Sequence, residues 1–126
     1  MLEQPNTLFL ISKHGLFPAT ERGCLESWMW NLEPEEELMR FVSLHKSKSV
    51  RAYRGGEIVS VRLATEEEVV KHQELLDTLG KAQMQDVTDR KIIVFRVLPE
   101  WNKLWPKKAR TRQMAYKVLG HVEVDA

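Results

Sequence analysis

Cysteine is almost missing from this 126-residue chain. Cys24 stands alone, so no internal disulfide can form and no structural zinc site can be built from thiolates. That usage fits a reducing compartment. Long apolar runs are missing too: no stretch approaches the roughly 20 apolar residues of a membrane-spanning helix. Residues 1–12 lack the basic start and small-residue cleavage site of a secretory leader. The cytoplasm is therefore the expected compartment, with no membrane partner. Glycine is sparse, and Gly55-Gly56 is not followed by the Gly, Lys and Ser/Thr pattern that cradles phosphate. His14, His45, His72 and His121 are far apart and form no His-x-x-x-His pair, so neither a metal nor a cofactor is expected. Cys24 has no nucleophile signature around it. Ser43-x-x-Lys46 is too common a pattern to assign, and on a strand its members point to opposite faces. No catalytic residue is assigned, and a binding role is expected over an enzymatic one.

What the chain does have is a distributed core. Apolar residues make up 43% and charged residues 29%, the balance of a folded protein, and the length suits one domain over residues 1–126. Thr7 to Ser12 reads as a buried first strand and Phe41 to His45 as a second. Lys91 to Leu98, rich in β-branched and aromatic residues and closed by Pro99, reads as a central strand. Leu25, Trp28, Met29 and Leu32 fit one helical stripe, predicting a short helix there. Glu33-Pro34 predicts another turn of helix.

In the stretch Ser49 to Thr65, Val59, Val61 and Leu63 alternate with Ile58, Ser60 and Arg62, the pattern of a half-buried strand. Val50 and Ala52 alternate upstream, and Gly55-Gly56 between the two runs predicts a tight hairpin turn. Thr65-Glu66-Glu67-Glu68 is a capping box that opens a helix carrying Val69, Gln73, Leu76 and Leu79 on one side, helped by Val70, and stopping at Gly80. Both glutamate clusters, Glu35 to Glu37 and Glu66 to Glu68, sit where helix starts favour negative charge. Residues 113–124 resume as one or two closing strands around Gly120. Together these elements predict an α+β domain. Its sheet is curved and mostly antiparallel, bending at the glycines toward a partly closed barrel, with one long helix and one or two short ones.

GEIVSVRLATEEE running into a helix, then KIIVFRVLPEW and a proline-punctuated loop, resembles in element order the PUA-like barrels such as ASCH and EVE domains. The resemblance spans Val50 to Pro106. It implies an RNA- or modified-base-binding role with a pocket lined by aromatics, and it assigns no individual residue.

The net charge of +1 conceals a strong asymmetry. Residues 1–40 carry three basic and seven acidic side chains, residues 88–117 nine basic and two acidic. Lys103, Lys107, Lys108, Arg110, Arg112 and Lys117, preceded by Trp101 and Trp105, have the composition of a nucleic-acid contact: cations for phosphate, indoles for stacking on unpaired bases. Lys46, Lys48, Arg51 and Arg54 extend that patch if the fold brings them alongside. The competing expectation is a solvated loop whose tryptophans plug the end of the sheet. Trp28, Met29 and Trp30 point to a second class of function, a protein-interaction or accessory module forming a homodimer or hetero-complex. RNA or another single strand is the expected partner, and a second protein the alternative.

Overall fold

The computed structural model describes residues 4–84, 87–106 and 116–124. In chain order the elements are β1 (Thr7–Ile11), β2 (Leu16–Pro18), β3 (Cys24–Trp30), α1 (Pro34–Glu37), β4 (Phe41–His45), β5 (Arg54–Leu63), α2 (Glu66–Thr78), β6 (Lys91–Val97) and β7 (Lys117–Gly120). The seven strands form one sheet in the order β2-β3-β6-β5-β4-β1-β7. Its neighbours are antiparallel except β1 and β4, which run parallel with Thr7 opposite Phe41 and Ile11 opposite His45. A parallel neighbour needs a long crossover, and the chain supplies it through β2, β3 and α1.

Period-2 alternation in the central strands builds two cores on opposite faces. Leu8 and Leu10, Val42 and Leu44, and Ile93 and Phe95 point to one side, where Trp30 and Leu32 join them. On the other side, Phe9 and Phe41 meet Trp101, Trp105, Val118 and Val122 beneath the C-terminal segment. Farther along that second face, Trp28, Met29 and Ile92 lie against Val69 and Met84. Helix α2 is fixed there by charge as well. Arg62 of β5 is paired with Glu68 in its first turn at 2.7 Å and with Glu26 of β3 at 3.2 Å, and Glu26 also accepts the Trp28 indole N–H.

The sheet does not close: β2 and β7 are its two edges. Among the described residues, β7 reaches the end of β3 and helix α1 through side chains. Lys117 Nζ donates to the Asn31 carbonyl and to Glu36 Oε1, both at 2.6 Å, while Tyr116 lies over Trp30. Lys117 is thereby committed to Glu36 and is not a free phosphate cation.

Four sequence expectations change. The predicted helix over Leu25 to Leu32 is strand β3. With β2 on one side and β6 on the other, and both faces covered, its apolar residues satisfy either period. Met29 sits at φ 70 in a bulge between Ser27 and Trp30. The bulge sends Trp28 toward α2 and Trp30 into the first core, although residues two apart on a regular strand share a face.

Gly55-Gly56 is not a turn. The hairpin's loop is 46–53, and both glycines lie within β5, opposite Ser43 and Val42 of β4. A second bulge, between Ile58 and Ser60, puts Ile58 and Val61 on the same core and leaves Val59 exposed. On α2 the inward stripe is Val69, His72 and Leu76, and Val70 and Leu79 face out. The capping box at Thr65 is present: Glu68 N donates to Thr65 Oγ1, and Thr65 N donates to Glu68 Oε1. Gly80, at φ 66, follows the last turn as expected.

Candidate nucleic-acid interface

The β4–β5 loop and the segment after β6 are distant in sequence and adjacent in space. Backbone bonds lock them together: Leu98 N donates to Gly55 O at 3.0 Å and Ala52 N to Lys103 O at 2.9 Å. Arg51 Nη1 adds a bond to Asn102 O at 2.8 Å. Between the two segments lies a cleft of about 280 Å3, lined by Ala52, Tyr53, Arg54, Val97, Leu98, Pro99, Glu100, Trp101 and Asn102. A neighbouring cleft of about 270 Å3 shares Leu98 to Trp101 and adds Lys103 and Glu123.

Trp101, with Leu98, Pro99 and Glu100, lines both clefts. Its ring lies directly on Gly55, where a Cβ would fall 2.3 Å from the indole Cδ1. The residues on either side of it, Glu100 at φ 60 and Asn102 at φ 36, both adopt left-handed backbone. Non-glycine residues pay for that conformation, and here it occurs on both sides of one buried indole.

Beneath the ring runs a chain of buried polar groups. His45 Nδ1 can only donate to the Val50 carbonyl, at 3.0 Å, so Nε2 is the unprotonated nitrogen and accepts from Ser43 Oγ at 2.8 Å. Ser43 Oγ in turn accepts the Trp101 indole N–H at 2.8 Å. Burial holds the His45 pKa below its ordinary value, which keeps the imidazole neutral, as the bonding pattern requires. A serine hydroxyl on a histidine nitrogen has the form of a nucleophile pair. Both residues are fully buried under Trp101, however, and the arrangement holds the plug in place. The sequence signal for it was two polar residues two apart in an otherwise apolar strand, which share a face.

The fold thus places Arg54 on one cleft and Lys103 on its neighbour, with Arg51 bonded to the Asn102 carbonyl between the two segments and Lys46 over the Tyr53 ring. Lys103 donates to the Glu123 carbonyl and lies over Trp101. Lys107, Lys108, Arg110 and Arg112 lie outside the described residues. Trp101 and Trp105 are in the core, 6% and 1% exposed, and Trp105 packs edge-on against Phe9 and His45. Neither ring presents a face to a base. Trp28, Met29 and Trp30 are likewise buried, the bulge at Met29 having split them between two cores. Among the described residues no three His, Cys, Asp or Glu side chains converge to hold a metal ion, and no helix among them is long and apolar enough to cross a membrane.

Under α2, His72 is buried with Nδ1 unpartnered, close to Gly15 and beside the His14 ring. Burial first, then the nearby His14 and Arg90, hold its pKa below the ordinary value. His45 and His72 are therefore neutral in the fold and take up protons near pH 6.5 once unfolded. Below about 6.5 the unfolded chain binds more protons than the folded one, so stability falls with pH. Glu68, held at about 2 by Arg62, adds a second loss as the pH drops from about 4.5 toward 2. Urea midpoints at pH 7.5, 5.5 and 3.5 should fall at each step. Replacing His72 by Leu should flatten the first step, and a His72→Leu protein with the wild-type pH response would exclude His72 as its source.

No protein-family model, no curated protein and no solved structure matches this chain.

Proposed function

We propose that this protein is a small non-enzymatic binding domain that takes RNA or another single strand on the face where the 46–54 loop meets residues 98–106. The observation that carries the reading is the meeting of two basic segments, far apart in the chain: Arg54 lines one cleft, Lys103 lines the cleft next to it, and Arg51 joins the two segments through the Asn102 carbonyl. Four more cations, Lys107, Lys108, Arg110 and Arg112, follow in the sequence directly after Pro106. Phosphate contact is the physical basis, because the two indoles next to the cleft are occupied by the core. The resemblance to PUA-like domains points the same way. A contact surface made of Trp28, Met29 and Trp30 would need those side chains outside, and they are 5–8% exposed.

Phosphate binding releases condensed counterions, so affinity should fall linearly on a double-logarithmic plot against salt, by about 0.7 per phosphate neutralised for a single strand. With three to five phosphates engaged, a fluorescently labelled uridine 12-mer should lose on the order of tenfold or more in affinity between 50 and 200 mM KCl. Anisotropy titrations at four salt concentrations read this directly. Binding that ignores salt, or no binding at 50 mM, would reject the proposal.

A further inference from the structure

We infer that the cleft selects guanine on a single strand, through Glu100; the inference rests on the nucleic-acid reading above. An acid is out of place in a phosphate site. Glu100 nevertheless lines the cleft with Arg54, is exposed, and makes no hydrogen bond or ion pair among the described residues. Its backbone is left-handed, at φ 60, and it directly precedes the Trp101 ring that is anchored on Ser43. Asn102, on the other side of Trp101, also lines the cleft. Its carbonyl is occupied by Arg51, and its side-chain amide has no hydrogen bond among the described residues.

The rest of the lining is Ala52, Tyr53, Val97, Leu98, Pro99 and Trp101, largely apolar, with the Tyr53 hydroxyl already given to the Ser12 carbonyl. At about 280 Å3 the cleft falls just below the roughly 300–1,000 Å3 of sites for drug-sized ligands. That is room for one ring system against an apolar wall, with ribose and phosphate left outside near Arg51 and Arg54.

The polar groups decide which base. A carboxylate offers two acceptor oxygens side by side and no donor. Guanine presents two adjacent donors on its Watson–Crick edge, N1–H and the N2 amine, so it can engage both oxygens in the bidentate manner that makes such contacts strong. Adenine and cytosine place a ring-nitrogen acceptor beside their amine, and uracil flanks its one N–H with carbonyls. Each would set a lone pair against the carboxylate. The acid thus rejects three bases as much as it attracts the fourth. The amide of Asn102 is the donor available to guanine O6.

The test uses uridine 12-mers carrying one central guanosine, adenosine, cytidine or inosine, titrated by anisotropy at 50 mM KCl. The guanosine strand should bind about tenfold tighter than the adenosine or cytidine strands, within the discrimination of one bidentate base contact. Inosine, which lacks the N2 amine, should fall between. Glu100→Gln should erase the guanosine preference while the uridine-only strand binds as well or better, because a negative charge has left the cleft. Salt-dependent binding of all four strands with equal affinity would overturn the guanine assignment and leave the phosphate reading standing. No binding of any strand would overturn both.

Discussion

Gly56→Ala is expected to cause the largest loss of stability of any single-methyl addition in this chain. A Cβ at Gly56 would stand 1.9 Å from the Arg96 carbonyl oxygen and 2.8 Å from its carbon. Those are backbone atoms of β6, paired with β5 on both sides of the contact, so no side chain can rotate away. Relief requires the two strands to separate, where Gly56 also pairs with Val42 of β4. Overpacking in a well-filled core typically costs about 1–3 kcal/mol and occasionally more. A direct overlap with backbone belongs at or beyond the upper end, a large share of the ~5–15 kcal/mol that holds a domain folded.

Gly55→Ala meets the Trp101 ring instead, at 2.3–2.5 Å. It should also be destabilising, and should lift the indole off Ser43. Gly23→Ala is the control: Gly23 has φ 82 but nothing within 4 Å of the added carbon, so only the ~1 kcal/mol of left-handed strain applies. Urea midpoints of the three variants should rank Gly56→Ala as least stable and Gly23→Ala as nearest wild type. Equal losses in all three would mean that backbone freedom, and not close approach, is what these glycines supply.

The second large effect is on binding. Arg51→Glu with Arg54→Glu replaces two exposed cations, Arg54 on the cleft and Arg51 on the Asn102 carbonyl beside it, by two anions. On the proposed reading, each reversal removes one phosphate contact and adds one repulsion. The pair should weaken binding of the uridine 12-mer by about a hundredfold at 50 mM KCl and flatten the salt dependence by roughly the share of two phosphates. Thermal melting should change little, because neither guanidinium is buried and the one tertiary bond lost is Arg51 to the Asn102 carbonyl. Lys81→Glu changes the same kind of charge just after α2, outside the cleft, and should leave affinity near wild type. Equal losses from Lys81→Glu and the double reversal would show that net charge alone is being read. Retained affinity in the double variant would move the contact elsewhere on the protein.

The candidate site was half legible from the chain. Charge is a property of residue type, so the basic stretches around Arg51 and Lys103 could be picked out, and the condition that they lie side by side could be stated. That they do so depends on where β6 ends relative to the β4–β5 loop, fixed by bonds such as Ala52 N to Lys103 O that join residues 51 apart. Glu100 gave no sequence signal beyond being a lone acid ahead of a basic run. Its place in the cleft goes with a left-handed backbone directly before Trp101, a local conformation that no residue pattern announced. For Trp101 and Trp105 the chain offered a plug or a platform with equal composition. Only the hollow above Gly55 and the packing around Phe9 seat both rings inside.

Local chemistry was determined by the sequence itself. The Thr65 capping box, the start and stop of α2, the proline-led turn of α1 and the buried strands β1, β4 and β6 all depend on neighbours within a few residues, and their signals are written within that distance. The tertiary structure decided whatever depends on partners far along the chain. Residues 25–32 fit a helix and a strand alike until β2 and β6 covered both edges. The two glycines served equally as a turn or as a seat until Trp101 and Arg96 came against them. The sheet stayed open, with β2 and β7 as its edges, and Lys117 of β7 pairs instead with Glu36 of α1. A pattern of side chains records which face of an element is buried, but what buries it is settled only when distant segments compete for the same surface.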